Sequence, residues 1–122
     1  MKTGTESYGD IRDAVRDLCK AFPDEYFRRI EAAQAYPEEF VKALTTSGWL
    51  AALIPVQYGG SGLGLAEASV IMEEINRCGG NSAVCHGQMY NMGTLLRHGS
   101  EAQKRHYLPK IASGELRLQA MG

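Results

Sequence analysis

The sequence predicts an all-α fold, a bundle of about six helices with a Gly-rich loop, ending in the start of a β-strand. Three observations predict it. Apolar residues recur at steps of three or four along most of the chain, helix start and stop signals bracket those stretches, and strict alternation occurs only over the last residues. At 122 residues the chain fits one domain with a real core and leaves no room for a second complete one. A hydrophobic fraction of 44% beside 22% charged residues is ordinary for a folded globular protein and far from the disordered range.

From Asp10, residues Ile11, Val15, Leu18 and Phe22 paint one stripe on a first helix, which Pro23 ends. Asp24 suits the cap of a second helix carrying Tyr26, Phe27 and Ile30. Pro37 suits the first turn of a third, where its missing N–H costs nothing; Phe40, Val41 and Leu44 follow, and Gly48 is the stop. The run from Trp49 to Ile54 is uniformly apolar and too short to show a period, and we read it as an extended, buried connector closed by Pro55. Tyr58 to Gly64 is a loop whose four glycines allow unusual backbone angles.

A fourth helix is predicted from about Leu65 to Arg77, with Leu65, Ala68, Ile71, Met72 and Ile75 on one face, Glu67 elsewhere, and Glu73 and Glu74 in solvent. Gly79 and Gly80 break it, and Asn81 or Ser82 can cap a fifth helix that ends at Gly99. That fifth helix contains Gly87 and Gly93, each costing roughly 1 kcal/mol relative to alanine. It also mixes Gln88, Asn91 and Thr94 with Met89, Tyr90, Met92, Leu95 and Leu96. Low intrinsic propensity means that it must be held by packing on more than one side. Ser100 with Gln103 forms a capping box for a sixth helix, whose first stretch Pro109 ends, and Gly114 stops the helical region. Leu116, Leu118 and Ala120 then alternate with Arg117, Gln119 and Met121, the period of a half-buried strand. A lone strand leaves its backbone unpaired, so the natural chain is expected to continue beyond Gly122.

Thirteen basic against fourteen acidic side chains leave a charge of −1, with no field to attract nucleic acid or an anionic membrane. The longest apolar run, Trp49 to Pro55, has seven residues, far from the roughly 20 of a membrane span. The start of the chain lacks the apolar stretch of a signal peptide and is too acidic for a transit peptide, so a cytoplasmic location is expected. Cys19, Cys78 and Cys85 have no metal or disulfide spacing and are read as free thiols.

The glycine loop falls short of a dinucleotide fingerprint, because Leu65 or Glu67 stands where the third glycine belongs. His86, His98 and His106 lack the spacing of a metal site, and none is expected. Adjacent Glu73 and Glu74 diverge by about 100° on a helix and cannot flank one bond. No G-x-S-x-G occurs, and Cys85 beside His86 is not the spatial pairing that activates a thiol. The fifth helix remains: Gly87, Met89, Met92 and Gly93 beside Gln88 suit a shallow apolar groove for a flexible aliphatic chain. Close helix packing at the glycines is the competing reading, and the two stand level.

Several blocks occur in a distinctive order: Gly48-Trp49-Leu50, Ile54-Pro55, Tyr58 to Gly64, Glu73-Glu74, Gly99 to Lys104, and Tyr107 to Leu116. Over residues 35 to 122 the chain resembles the amino-terminal region of acyl-CoA dehydrogenases. The resemblance implies a division into residues 1–115, the helical domain, and 116–122, the first residues of a middle β domain. It implies FAD, held mainly by a β domain and a second helical domain outside these residues, an acyl-CoA substrate, a homotetramer, and an electron acceptor such as an electron-transfer flavoprotein. The implied reaction is α,β-dehydrogenation to an enoyl-CoA, in which a glutamate takes the α-proton while hydride passes to the flavin.

That glutamate belongs to the last domain in the family, so no catalytic residue is assigned here. Met121 matches a flavin-neighbouring position, and Gln88, Met89, Met92, Gly93 and Leu96 match positions near the acyl chain. The segment by itself is expected to be inactive. The alternatives are a non-catalytic helical module that binds an acyl group or a protein, and the same domain of a related flavin oxidase or monooxygenase.

Overall fold

A computed structural model describes the backbone of residues 4–117, with side chains from Tyr8 onward. It contains six α-helices: α1 Gly4–Cys19, α2 Asp24–Ala32, α3 Glu38–Thr46, α4 Leu65–Arg77, α5 Ala83–His98 and α6 Glu101–Ser113. No strand occurs among the described residues, and no described helix is long and apolar enough to cross a membrane.

Local chemistry explains most boundaries. Gly48 (φ 87°) and Gly114 (φ 86°) stop α3 and α6 in the left-handed region that favours glycine. At the start of α6 the capping box is complete: Ser100 Oγ accepts from the Gln103 amide at 3.1 Å, and Gln103 Oε1 accepts from the Ser100 amide at 2.9 Å. Asn81 rather than Ser82 supplies the side-chain cap of α5, its Oδ1 accepting from the Ala83 amide at 2.9 Å. Asp24 is the first residue of α2 instead of its cap, which is Pro23.

Four further expectations are corrected. The run from Trp49 to Ile54 is not extended: Trp49–Ala51 forms a 3-10 turn, and a second follows at Val56–Tyr58. Folding back lets the glycine loop satisfy its carbonyls, with the amides of Ser61, Gly62 and Leu63 donating to Ala51, Ile54 and Ala52 at 3.3, 2.8 and 2.7 Å. A Cβ on Gly60 would collide with the Ile54 carbonyl, so this glycine exists for the close approach. Pro109 does not end a helical stretch; α6 runs through it, held by the fully buried Leu108 and Ile111 on its inner face. Glu74 is not solvated but entirely buried. Finally, Leu116 and Arg117 are not in a strand: the Leu116 amide donates to the Lys110 carbonyl at 3.0 Å. The rest of that expected strand, Met121 included, lies outside the described residues.

Two apolar clusters form the core. The larger joins α1, α3 and α4 through Ile11, Val15, Val41, Leu44, Ile71 and Ile75, with Phe22, Tyr26, Phe27 and Phe40 packed edge to face at one end. The smaller joins Ala51, Ile54, Tyr58, Met92, Leu108 and Ile111. The most extensive helix pairing is α1 on α4. There Glu74 Oε1 accepts from Arg12 at 3.1 Å and from Arg16 at 3.4 Å, with Arg77 at 3.8 Å. Burial works to raise the Glu74 pKa, but these guanidinium groups outweigh it and hold the carboxyl below its ordinary value.

Candidate functional site

Helix α5 has two unlike sides. Cys85, Gln88, Met89, Asn91 and Met92 are buried, while His86, Tyr90, Thr94 and Arg97 are exposed. The weak propensity of the helix is offset by contacts with α4, α6 and the 3-10 turn at Trp49–Ala51. Gln88 anchors it there, Nε2 donating to the Leu50 carbonyl at 3.4 Å. Asn91 bonds back to the Gly87 carbonyl at 2.7 Å.

Beside α5 lies a groove of about 460 Å³ lined by Leu53, Leu63, Leu65, Met89, Tyr90, Gly93 and Leu96, with Thr94, Arg97 and His98 at its rim. The structure therefore divides the five residues matched to the acyl chain. Met89, Gly93 and Leu96 line the groove. Gln88 and Met92 point away from it, Gln88 to Leu50 and Met92 into the smaller cluster, so they brace the wall from behind. Tyr90 was missed by sequence reasoning, although it shares a helical stripe with Gly93 and Arg97. Leu53, Leu63 and Leu65 were missed as well, because only the folded-back glycine loop brings them to α5.

Gly93 separates the two readings of this helix. Its φ is not positive, and a Cβ built on it would meet nothing within 4 Å. Close helix approach does not require this glycine; its bare backbone faces the groove.

The groove lining holds no carboxylate, so the glutamate base that the resemblance implies is not among these residues. Among the described residues no group of three His, Cys, Asp or Glu side chains could hold a metal. Nor does the glycine loop present a cradle for a flavin pyrophosphate, since the amides of Ser61, Gly62 and Leu63 already donate to chain carbonyls.

Residues 5–115 match the family model described as acyl-CoA dehydrogenase, N-terminal domain. The chain belongs to the acyl-CoA dehydrogenase family. It is similar to the mitochondrial isovaleryl-CoA dehydrogenase of Pongo abelii, 49% identical over 79 residues that cover 63% of this chain and 19% of the relative. It is also similar to the mitochondrial isovaleryl-CoA dehydrogenase of Solanum tuberosum, 34% identical over 116 residues, 88% of this chain and 28% of the relative. The probable acyl-CoA dehydrogenase FadE25 of Mycobacterium tuberculosis (strain ATCC 25618 / H37Rv) is 30% identical over 110 residues, again 88% and 28%. The matched part thus spans 19 to 28% of the length of these relatives. Two of these names place the relative in mitochondria, so the comparisons lend the cytoplasmic expectation no support.

Proposed function

We propose that this chain supplies one wall of the acyl pocket of a flavin-dependent acyl-CoA dehydrogenase. Met89, Gly93 and Leu96 form the wall together with Tyr90, and Gln88 and Met92 hold it in place. Gly93 carries the reading: a glycine that costs stability in a helix, is required neither by φ nor by internal packing, and opens onto an apolar groove. Similarity to isovaleryl-CoA dehydrogenases makes a short, branched acyl-CoA the first substrate to test. FAD, the catalytic base and most contacts to CoA belong to the rest of the polypeptide, with residues 116–122 leading into the β domain and Met121 beside the flavin. The intact enzyme is a homotetramer that passes electrons to an acceptor such as an electron-transfer flavoprotein.

The test is Gly93→Leu in the full-length enzyme, assayed against acyl-CoA substrates of increasing length and branching. Filling the groove should lower kcat/KM for the bulkier acyl chains by about tenfold or more relative to the smallest. A profile that falls equally for every substrate, or not at all, would remove the groove from the acyl pocket. The 122-residue chain alone should purify without flavin absorbance; yellow protein that forms enoyl-CoA would overturn that part.

A further inference from the structure

A second cavity shares no residue with the acyl groove, and its charge has the opposite sign. It measures about 440 Å³ and lies where the α2–α3 turn meets the α4–α5 turn, bordered by the rings of Phe27, Tyr36 and Phe40, by Ile30 and Val84, and by Glu31. No lysine or arginine borders it, whereas the groove beside α5 has Arg97 and His98 at its rim and no carboxylate. Local sequence builds the walls. Gln34 takes a left-handed φ of 50° and the Ala35 amide donates back to the Ile30 carbonyl at 3.0 Å, a closure of α2 that carries Tyr36 to the cavity. Phe27 and Phe40 hold each other at right angles, ring centroids 5.1 Å apart and planes at 87°. Gly80 leaves room for that ring pair, since a Cβ there would lie 3.2 Å from Phe40 Cζ. Beside Gly79, which also borders the cavity, Asp24 adds a second negative charge, its Oδ1 2.7 Å from where a Gly79 Cβ would stand. Two of the lining groups stand unused: among the described residues the side chains of Glu31 and Tyr36 make no hydrogen bond, ion pair or ring contact, and Tyr36 is 39% exposed.

We propose that this cavity binds a small quaternary ammonium ligand with a choline-like head, its methyl groups against Phe27, Tyr36 and Phe40 and its charge countered by Glu31. Aromatic rings attract cations through their negative faces, and a methylated ammonium adds apolar surface that suits Ile30 and Val84. A primary ammonium fits less well, because it is strongly hydrated and carries three donors, for which the lining offers one exposed carboxylate. An anion would meet Glu31 and Asp24 with no basic side chain on the lining to offset them. A neutral apolar group would use the walls and leave both carboxylates idle. The site does not depend on the acyl groove, so the failure of either leaves the other standing.

The experiment titrates the isotope-labelled 122-residue chain with choline chloride, with sodium chloride as the salt control, and follows the amide resonances of Gly79, Gly80 and Val84 by NMR. Saturable shifts at these amides are expected, with a Kd on the order of 1 mM. Neopentyl carbinol, the neutral isostere of choline, should bind at least about tenfold more weakly. Glu31→Gln should weaken choline about threefold and Tyr36→Ala about fivefold. Both positions are exposed, so helical circular dichroism should be unchanged. Equal affinity for the neutral isostere would overturn the proposal, as would undiminished choline affinity in both variants or the absence of saturable shifts. So would shifts that follow chain concentration without choline, which mean that a second copy covers the cavity, or binding to phosphatidylcholine vesicles without binding of free choline. If either variant does not fold, the comparison of choline with neopentyl carbinol on the unaltered chain still decides.

Discussion

Along the α1–α4 seam, Ile11, Val15, Ile71 and Ile75 close on one another and Glu74 lies fully buried among Arg12, Arg16 and Arg77. On the outward side of α5, Tyr90 is 49% exposed, Leu65 is 69% exposed and Gly93 faces empty space. Among the described residues no buried side-chain nitrogen or oxygen of the seam lacks a hydrogen-bond partner, whereas the groove leaves apolar surface bare and keeps a poor helix former where alanine would be better. Such a surface is what the proposed acyl wall would require. Stability should therefore respond steeply to changes in the seam and weakly, or in the opposite sense, to changes in the groove.

The largest effect is expected at Ile75, which is fully buried. Ile75→Ala should cost about 3 kcal/mol through lost burial and the cavity left behind. Leu65→Ala on the groove rim should stay within about 0.5 kcal/mol. Urea midpoints for the two variants measure the contrast directly, and equal losses would mean that the rim belongs to the core.

Glu74 comes next. Glu74→Gln keeps the shape but removes the charge that Arg12, Arg16 and Arg77 share, and those arginines can turn to solvent, so the cost at neutral pH should be about 1–2 kcal/mol. The folded carboxyl titrates below its ordinary value of 4.5. Its contribution is therefore present above the unfolded pKa and is lost as pH falls through the folded one. Unfolding curves from neutral pH into the acid range should show the unaltered chain and Glu74→Gln converging below the ordinary carboxylate range. A constant gap across that range would mean that the charge is not what holds the seam.

Much of the fold could be read from the sequence because its signals are local. The limits of α4, the Ser100–Gln103 box, and the stops at Gly48 and Gly114 each depend on neighbours within a few positions. What escaped is set by distant partners. Glu74 looks like a surface residue until α1, roughly 60 positions earlier, brings its arginines. The turn at Trp49–Ala51 depends on amides from the glycine loop, and Pro109 stays in α6 because Leu108 and Ile111 are anchored in the core. The groove was half legible. Met89, Gly93 and Leu96 follow one helical stripe, while Gln88 and Met92 lie on the next, turned by about 100°. A wheel drawn for α5 separates the two sets, but nothing local says which of them faces inward.

The smallest effect also tests the comparison most sharply, because its sign is unusual. Gly93 has no positive φ, and a methyl group at its Cβ meets no atom within 4 Å. Gly93→Ala should therefore stabilise the chain by about 0.5–1 kcal/mol, as the unfolded state loses freedom and the helix gains propensity. Gly60→Ala should do the reverse, since its Cβ would strike the Ile54 carbonyl. Thermal melts of the two variants, moving in opposite directions, would show that Gly60 serves the fold and that Gly93 serves whatever occupies the groove. If Gly93→Ala also lowered the midpoint, the bare backbone at that position would be a requirement of packing, and the open side of α5 would lose its claim to be a wall built for a ligand.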